Sequence, residues 1–354
     1  MRMKKSALPG GALMAALMAA TLESQAAPRF VAGPYKHTAM HRQSSHVITI
    51  APAGVPVPAV AFGKRAFGPG TMNWAFATGE CGEERWGEER GQEIADANVA
   101  AFAQAGVDYI VSTGGQGGVF TCATDEGMER FIRRYESKHL IGLDFDIEAG
   151  QTAQQVESLI LRMKAAQARR PQLRYSFTVA THAASDGSGK SLNAEGESIL
   201  ATLRRHDVRD FIFNLMVMDY GPGARSVCVL KRGGECDMGR SAIQAARNVQ
   251  QKYGVPFSQI ALTPMIGVND VVSNVFTLAD ARMLASAVKK LKLAGLHYWS
   301  LDRDQPCSAP TKGASATCST LPLKAGEYGR ALSSAMPSAT PSPMRRVGRA
   351  ARAG

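Results

Sequence analysis

Short apolar runs alternate with segments of helical periodicity along most of this chain of 354 residues. Runs rich in β-branched and aromatic residues indicate strands, and the segments between them are long enough for a helix in most cases. Eight strands are predicted in this way, at residues 30–35, 71–77, 109–113, 142–148, 175–180, 213–219, 260–266 and 295–302. Strands that alternate with helices are typical of a parallel sheet covered by crossover helices.

The segments between the strands carry the spacing and the end signals of helices. One of them places four apolar residues on one helical face: Val156, Leu159, Ile160 and Met163. Another begins with Thr277, three residues before Asp280, which is the spacing of a capping box. Glycines that could end a helix stand before the next strand at Gly106, Gly254 and Gly295.

Eight such units without a change of composition favour one closed α/β barrel, a (β/α)8 TIM barrel, over two domains with open sheets. We expect this domain to cover residues 27–330. The least regular part lies between Thr38 and Gly70, where residues 44–61 have the pattern of a strand and a proline-containing loop. Functional groups of such barrels stand at the carboxyl ends of the strands, so chemical motifs are expected there.

The chain begins with the pattern of an export signal. Basic residues within positions 1–5 precede an apolar stretch from Ala7 to Leu22, and Ser24 and Ala26 place small residues before a cleavage site. A membrane-spanning helix is the alternative, but this stretch is interrupted by residues 9–11 and is shorter than the roughly 20 residues needed. We expect residues 1–26 to be removed and the protein to be secreted, outside the cell or into the periplasm, without stable membrane insertion.

The charge of the chain lies largely at its two ends. Of the formal net charge of +11, the first 26 residues contribute +2 and the last four arginines +4, which leaves +5 between residues 27 and 341. That excess is too small to predict nucleic-acid binding. Residues 331–354 form a basic tail rich in Ser, Pro, Ala and Arg, which we expect to be disordered, either inert or adhering to an acidic surface.

Export makes the cysteines candidates for disulfide bonds. The two short loops favour Cys228–Cys236 and Cys307–Cys318, which leaves Cys81 with Cys122. Zinc binding is disfavoured because the sequence offers neither CxxC spacing nor nearby histidines. We expect neither a metal nor another cofactor.

The strongest chemical pattern is the sequence GLDFDIE at residues 142–148, in which acids alternate with apolar residues. Alternate positions of a strand share a face, so Asp144, Asp146 and Glu148 should point into the barrel while the apolar residues face the helices. Carboxylates that lie close together raise the pKa of at least one of the group. Glu148 comes last on the strand, nearest the mouth of the barrel, and is therefore the candidate general acid. An exposed edge strand and a divalent-metal site are the alternatives.

This strand resembles the D-x-x-D-x-D-x-E signature of family-18 glycoside hydrolases, the chitinases. Three further motifs stand in the family's order: STGG at residues 112–115 resembles the third-strand motif, MVMDYG at 216–221 the sixth-strand motif, and Trp299 the eighth-strand tryptophan. The resemblance covers roughly residues 28–310. It implies a chitinase of the endo-β-N-acetylglucosaminidase type that binds chitin or N-acetylglucosamine oligosaccharides, and we expect it to be a monomer.

The resemblance also implies roles for individual residues. Glu148 would be the general acid and base of a substrate-assisted retaining mechanism, in which the N-acetyl oxygen attacks the anomeric carbon of its own sugar. Asp146 would hold the acetamido N–H, and Asp144 would tune the pKa of Asp146. The substrate-binding residues would be Asp219, Tyr220, Trp299, Met216, Gly114 and Gly115.

Two positions depart from the family pattern: its first Asp falls on Ile141, and the Tyr of the sixth-strand motif falls on Met218. We expect an altered pH dependence, with Tyr220 replacing the missing hydroxyl. The alternative function is a chitin-binding, lectin-like barrel without catalysis, although this sequence retains the acid at position 148.

Structural roles stay open for several of these residues. Trp299 is compatible with a core aromatic, and Met216 and Met218 with core packing. The glycines at 114 and 115 are compatible with a crowded turn. A phosphate-binding loop at 114–118 is disfavoured because no Lys-Ser or Lys-Thr follows it.

Overall fold

The structure is a computed structural model that describes residues 30–42, 44–61, 70–148 and 150–336. The predicted export signal and residues 337–354 of the predicted tail lie outside the described residues. The last helix among the described residues ends at Ser333, three residues past the predicted domain limit at 330.

Eight parallel strands close into a barrel, as the alternating pattern predicts. The strands are β1 (Val31–His37), β2 (Met72–Ala77), β3 (Tyr109–Gly114), β4 (Leu140–Asp146), β5 (Arg174–Ala180), β6 (Ile212–Met216), β7 (Ile260–Thr263) and β8 (Gly295–Tyr298). Each strand pairs with the next along the chain, and β8 pairs with β1. The (β/α)8 prediction is therefore confirmed.

Helices cover the outside of the barrel. They are α1 (Gly91–Ala105), α2 (Asp125–Arg134), α3 (Ala153–Arg169), α4 (Ala194–Arg205), α5 (Met238–Tyr253), α6 (Leu278–Leu291) and α7 (Glu327–Ser333). Between β1 and β2 the described residues include the antiparallel pair Thr49–Ile50 and Val57–Pro58, in line with the irregular pattern of that segment.

Local signals explain where the helices begin and which face they bury. The predicted capping box at Thr277 is present, since the Thr277 hydroxyl accepts a hydrogen bond from the Asp280 amide and Asp280 accepts one from the Thr277 amide. The predicted apolar face of α3 is buried, with Val156 only 2% exposed and Met163 fully enclosed. These faces pack on the outward side chains of the strands and form the core around the barrel.

Three disulfides join the predicted cysteine pairs, Cys81–Cys122, Cys228–Cys236 and Cys307–Cys318. In the described part of the chain, we find no helix with the length and apolar character required to cross a membrane.

Four of the eight barrel strands end earlier than the apolar pattern predicts. β4 ends at Asp146, β6 at Met216, β7 at Thr263 and β8 at Tyr298. Hydrophobicity does not mark these ends, because the following residues are also buried, in loops that fold over the mouth of the barrel. Asp219 and Trp299 consequently stand on loops above the strands, and Glu148 lies two residues beyond β4.

Candidate active site

A cleft of about 680 Å³ opens at the carboxyl ends of the strands. Its walls contain acidic, aromatic and methionine side chains from β1, β2, β4, β5, β6, β7 and the loops that follow the strands. The lining residues are Tyr35, Phe76, Gln116, Asp146, Glu148, Thr178, Ala180, Thr181, His182, Asn193, Met216, Met218, Asp219, Tyr220, Thr263, Met265, Asp270, Val271 and Trp299. Most of the residues that the motifs predict are therefore brought together at one place.

Asp144 lies below the cleft and is surrounded by hydroxyl donors. Its Oδ2 accepts hydrogen bonds from Tyr35 at 2.9 Å and Ser112 at 2.7 Å, and its Oδ1 accepts from Ser176 at 2.6 Å and Thr178 at 2.8 Å. Burial raises the pKa of Asp144, whereas these four hydrogen bonds favour the ionised form and limit the rise.

Asp146 is the last residue of β4 and is only 4% exposed. Its Oδ1 has no hydrogen-bond partner among the described residues, in contrast to the fully bonded Asp144. Burial raises the pKa of Asp146 well above its ordinary value, and the charges of Glu148 and Asp144 raise it further. Asp146 therefore favours a proton and keeps one oxygen available for a ligand.

Glu148 reaches the cleft from the turn after β4 rather than from the strand itself. The strand prediction was two residues too long, because the Ile147 amide makes the last contact of this segment with its neighbour, donating to the Thr178 carbonyl at 3.0 Å. The Glu148 carboxyl group is partly buried, and burial and the charge of Asp219 raise its pKa. A carboxylic acid with a raised pKa in an open cleft is suited to donating a proton.

Asp219 and Tyr220 are held by the loop after β7. The Asp219 backbone has a φ of 48°, a left-handed conformation that is uncommon outside glycine. Its amide donates to Asn269 Oδ1 at 3.3 Å, and its Oδ1 accepts from the Val271 amide at 2.8 Å. Burial raises the pKa of Asp219. The Tyr220 amide donates to Asn274 Oδ1 at 2.8 Å, which orients the tyrosine beside the cleft.

Trp299 forms an apolar floor together with Phe76. The two rings stack with their centroids 5.6 Å apart and an interplanar angle of 16°. Tyr35 adds a third ring, 6.3 Å from the tryptophan. Trp299 lines the cleft and is therefore not a core aromatic, which was the alternative for this residue.

The two predicted glycines lie behind the cleft wall, and their role there is structural. A Cβ at Gly114 would stand 2.1 Å from the Asp146 carbonyl oxygen, and one at Gly115 would stand 2.5 Å from the Phe76 ring. Both have positive φ. Their missing side chains let Asp146 and Phe76 pack closely, and a contact of their own with substrate stays a prediction. Met216 and Met218 both line the cleft.

Sequence reasoning missed a second set of residues in the cleft: Tyr35, Phe76, Gln116, Thr181, His182, Asn193 and Asp270. It also missed the hydroxyl groups that donate to Asp144. Two of these could have been predicted from the sequence, since Ser176 and Thr178 occupy alternate positions of β5 and therefore share a face. Tyr35 carries no such local signal, because it lies 109 residues from Asp144 in sequence.

Among the described residues, potential metal ligands gather at two places away from the cleft lining. Glu80 lies by Cys81 and Cys122, but these cysteines form a disulfide and offer no thiolate. His46, Glu89 and Glu93 have ligand atoms within 4.8 Å of one another, and Arg42 and Arg90 pair with the two glutamates.

Comparisons with known proteins agree with this geometry. A probable bifunctional chitinase/lysozyme of Escherichia coli K12 is 28% identical over 239 residues, which is 62% of this chain and 26% of that protein. Endochitinase 11 of Metarhizium anisopliae is 27% identical over 228 residues, 60% of this chain and 43% of that protein. The chain thus matches less than half the length of each curated relative. No protein-family model matches the sequence.

Among solved structures, the catalytic domain of a hyperthermophilic chitinase from Pyrococcus furiosus is similar in both fold and sequence. The TM-score is 0.66 and the identity 26%, with 86% of this chain and 94% of that one covered. The barrel, the acidic motif at the end of β4 and these similarities agree with one another. The chain is thus similar to chitinases in sequence and to a chitinase catalytic domain in fold.

Proposed function

We propose that this protein is a secreted chitinase that hydrolyses β-1,4 linkages between N-acetylglucosamine units. The observation that carries the proposal is the acid Glu148 in an open cleft, beside the buried Asp146 with its unpaired oxygen and opposite a tryptophan floor. The chitinase names of the relatives support the same substrate class. Export is supported by the three disulfides, which persist in oxidising compartments.

The first chemical step would use the proton of Glu148. As this proton moves to the glycosidic oxygen, the bond from that oxygen to the anomeric carbon breaks and the leaving sugar departs as an alcohol. The acetamido oxygen of the remaining sugar forms a bond to the same carbon and gives a cyclic oxazolinium ion. Glu148 then takes a proton from water as the water oxygen attacks the anomeric carbon, and the bond from that carbon to the acetamido oxygen breaks, which restores the acetamido group. The retained configuration follows from the two inversions.

Asp146 would stabilise the positive charge of this intermediate. Its unpaired Oδ1 can accept the acetamido N–H, which turns the acetamido oxygen toward the anomeric carbon. Asp144 lies below it with both carboxylate oxygens already bonded, and its charge adds to burial in raising the pKa of Asp146. Asp144 would thus set the pH above which Asp146 carries the negative charge that stabilises the intermediate.

Tyr220 and Trp299 would fix the same sugar. The Tyr220 hydroxyl oxygen is buried and has no partner among the described residues, so a carbonyl oxygen of the substrate could accept its hydrogen bond. This supports the expectation that Tyr220 supplies the hydroxyl missing at Met218. Trp299 and Phe76 offer a flat apolar surface for a sugar ring.

Product analysis after incubation with chitin oligosaccharides tests the proposal. We expect shorter N-acetylglucosamine oligosaccharides whose new reducing ends first appear in the β configuration. Glu148→Gln should lower turnover by about 10²–10⁴-fold, because general acid catalysis contributes about that factor. Glu126→Gln, an exposed glutamate in the first turn of α2, is the matched control and should leave the rate unchanged.

The same experiment separates an enzyme from a lectin-like barrel. Binding of chitin oligosaccharides without any cleavage by the wild-type protein would favour the lectin. Cleavage that survives Glu148→Gln would refute the assignment of the acid.

A further inference from the structure

Arg303 is a buried cation just behind the cleft that the proposed mechanism does not use. Only 1% of it is exposed, and its guanidinium donates to backbone carbonyls. Nη2 donates to Ile266 at 2.9 Å and to Val268 at 2.5 Å, and Nη1 donates to Ser315. Burying a charged group is unfavourable unless its hydrogen bonds are satisfied, so these carbonyls hold Arg303 in one position.

The segment that Arg303 binds also carries the groups that hold Asp219. The amide of Val271 donates to Asp219 Oδ1, and Asn269 Oδ1 accepts from the Asp219 amide. Asn269 is itself fixed, because its Nδ2 donates to the carbonyls of Met265 at 2.8 Å and Gly267 at 3.2 Å. We call residues 265–271 the β7 loop. Its backbone connects Arg303 to the position of the Asp219 carboxyl group.

A disulfide-closed segment supports the far side of this contact. Cys307–Cys318 closes the segment that contributes the Ser315 carbonyl. The carbonyl of Ser319, the residue after Cys318, accepts a hydrogen bond from the Val268 amide at 3.1 Å. The β7 loop is therefore held between the Arg303 guanidinium and the disulfide-closed segment. These contacts on both sides restrict movement of the loop.

We propose that Arg303 is a positioning residue of the site: it fixes the β7 loop, and through this loop the Asp219 carboxyl group beside Glu148, while its positive charge acts on the Asp219–Glu148 pair. This inference rests on the proposed function in one respect: the pH profile described below requires that the protein cleave chitin oligosaccharides.

The pair and the charges around it come from four elements. Asp219 follows β6, and Glu148 follows β4 with Asp146 below it. Asp270 belongs to the β7 loop, and Arg303 follows β8. The negative charge of Asp270 raises the pKa of Asp219, and the positive charge of Arg303 lowers it. Asp219 in turn raises the pKa of Glu148. Removing either Arg303 or Asp270 should thus move the titration of the pair, in opposite directions.

The test is the pH profile of kcat/KM on a chitin oligosaccharide, measured for three variants and one control variant. Arg303→Gln should shift both limbs to higher pH by about one pH unit, and Asp270→Asn should shift them to lower pH by a similar or smaller amount. Arg303→Lys keeps the charge but cannot bond all the carbonyls, so it should lower kcat with little shift of the limbs. Lys324→Gln removes an exposed cation from the loop before α7 and should leave the profile unchanged.

Limbs that stay in place in both Arg303→Gln and Asp270→Asn, with only a uniform loss of rate, would overturn the inference, since a purely structural role predicts that result. Asp270 is exposed, so its variant keeps the test open should Arg303→Gln not fold. Titration of the Asp and Glu carboxyl carbons by NMR gives the same shifts without turnover. A wild-type protein that cleaves nothing would refute the proposed function, whereas unmoved carboxyl titrations would refute the role of Arg303.

Discussion

The hydroxyl of Tyr35 donates a hydrogen bond of 2.9 Å to Asp144 across the inside of the barrel, so that β1 and β4 are joined by a side chain as well as by the sheet. Asn214 on β6 donates to the same hydroxyl at 2.8 Å. The hydroxyl thus links three strands below the cleft, and it leaves the Asp144 carboxylate without a free oxygen.

Tyr35→Phe should destabilise the protein by about 1–2 kcal/mol, because it removes one donor from Asp144 and one acceptor from Asn214, both buried. Urea unfolding measures this loss. Tyr253→Phe is the control: its hydroxyl donates to Glu197 at the surface of the molecule, and its loss should cost well under 1 kcal/mol. Equal losses in the two variants would contradict a special contribution of Tyr35.

Asp146→Asn should lower turnover by about 10²–10³-fold, because it removes the charge that stabilises the oxazolinium ion. Substrate binding should change far less, since that charge develops mainly in the transition state. Steady-state kinetics with binding measured separately tests both parts. A covalent sugar trapped on Asp146, or efficient cleavage of cellulose oligosaccharides, would exclude the substrate-assisted mechanism even if chitin is cleaved.

Gly114→Ala should destabilise the protein by more than the roughly 1 kcal/mol that positive φ costs an alanine, because the new methyl group would overlap the Asp146 carbonyl. Gly187→Ala separates the two effects: Gly187 has a φ of 90°, and nothing lies within 4 Å of a Cβ there. Thermal unfolding of both variants gives the comparison. If Gly187→Ala costs as much as Gly114→Ala, crowding at Asp146 is not the reason for the glycine.

Asp304 should make the stability of the protein depend on pH. Burial raises its pKa from 3.8 to about 6, while the amides of Tyr328 and Gly329 at the start of α7 oppose the shift. The folded state therefore binds a proton more tightly than the unfolded chain. This contribution to the free energy of unfolding is complete below pH of about 4 and is lost as the pH rises to about 6, a decrease of about 2–3 kcal/mol.

Asp304→Asn removes this titration, so the difference in unfolding free energy between wild type and variant should change across that pH range. Urea unfolding at several pH values measures the difference. A constant difference between pH 4 and 6 would show that Asp304 titrates normally.

Local patterns in the sequence were sufficient for the barrel and for its acidic strand. The period of apolar residues depends only on neighbours in the chain, so all eight strands could be located, and alternation on β4 places Asp144 and Asp146 on one inward face. The ends of β6, β7 and β8 could not be predicted, because the residues beyond them are buried by loops from elsewhere and look like strand in a local pattern.

The surroundings of the acids were decided by the closed barrel. Ser112 and Ser176 stand beside Asp144 because β3 and β5 pair with β4 in the sheet, and Tyr35 reaches it because closure brings β1 across the barrel. No local period encodes contacts between residues so far apart in the chain. The burial of Arg303 could not be predicted from the sequence either, because an arginine is expected at the surface from its residue type alone. It is buried because carbonyls from two separate loops converge on it, an arrangement that exists only once the mouth of the barrel has folded.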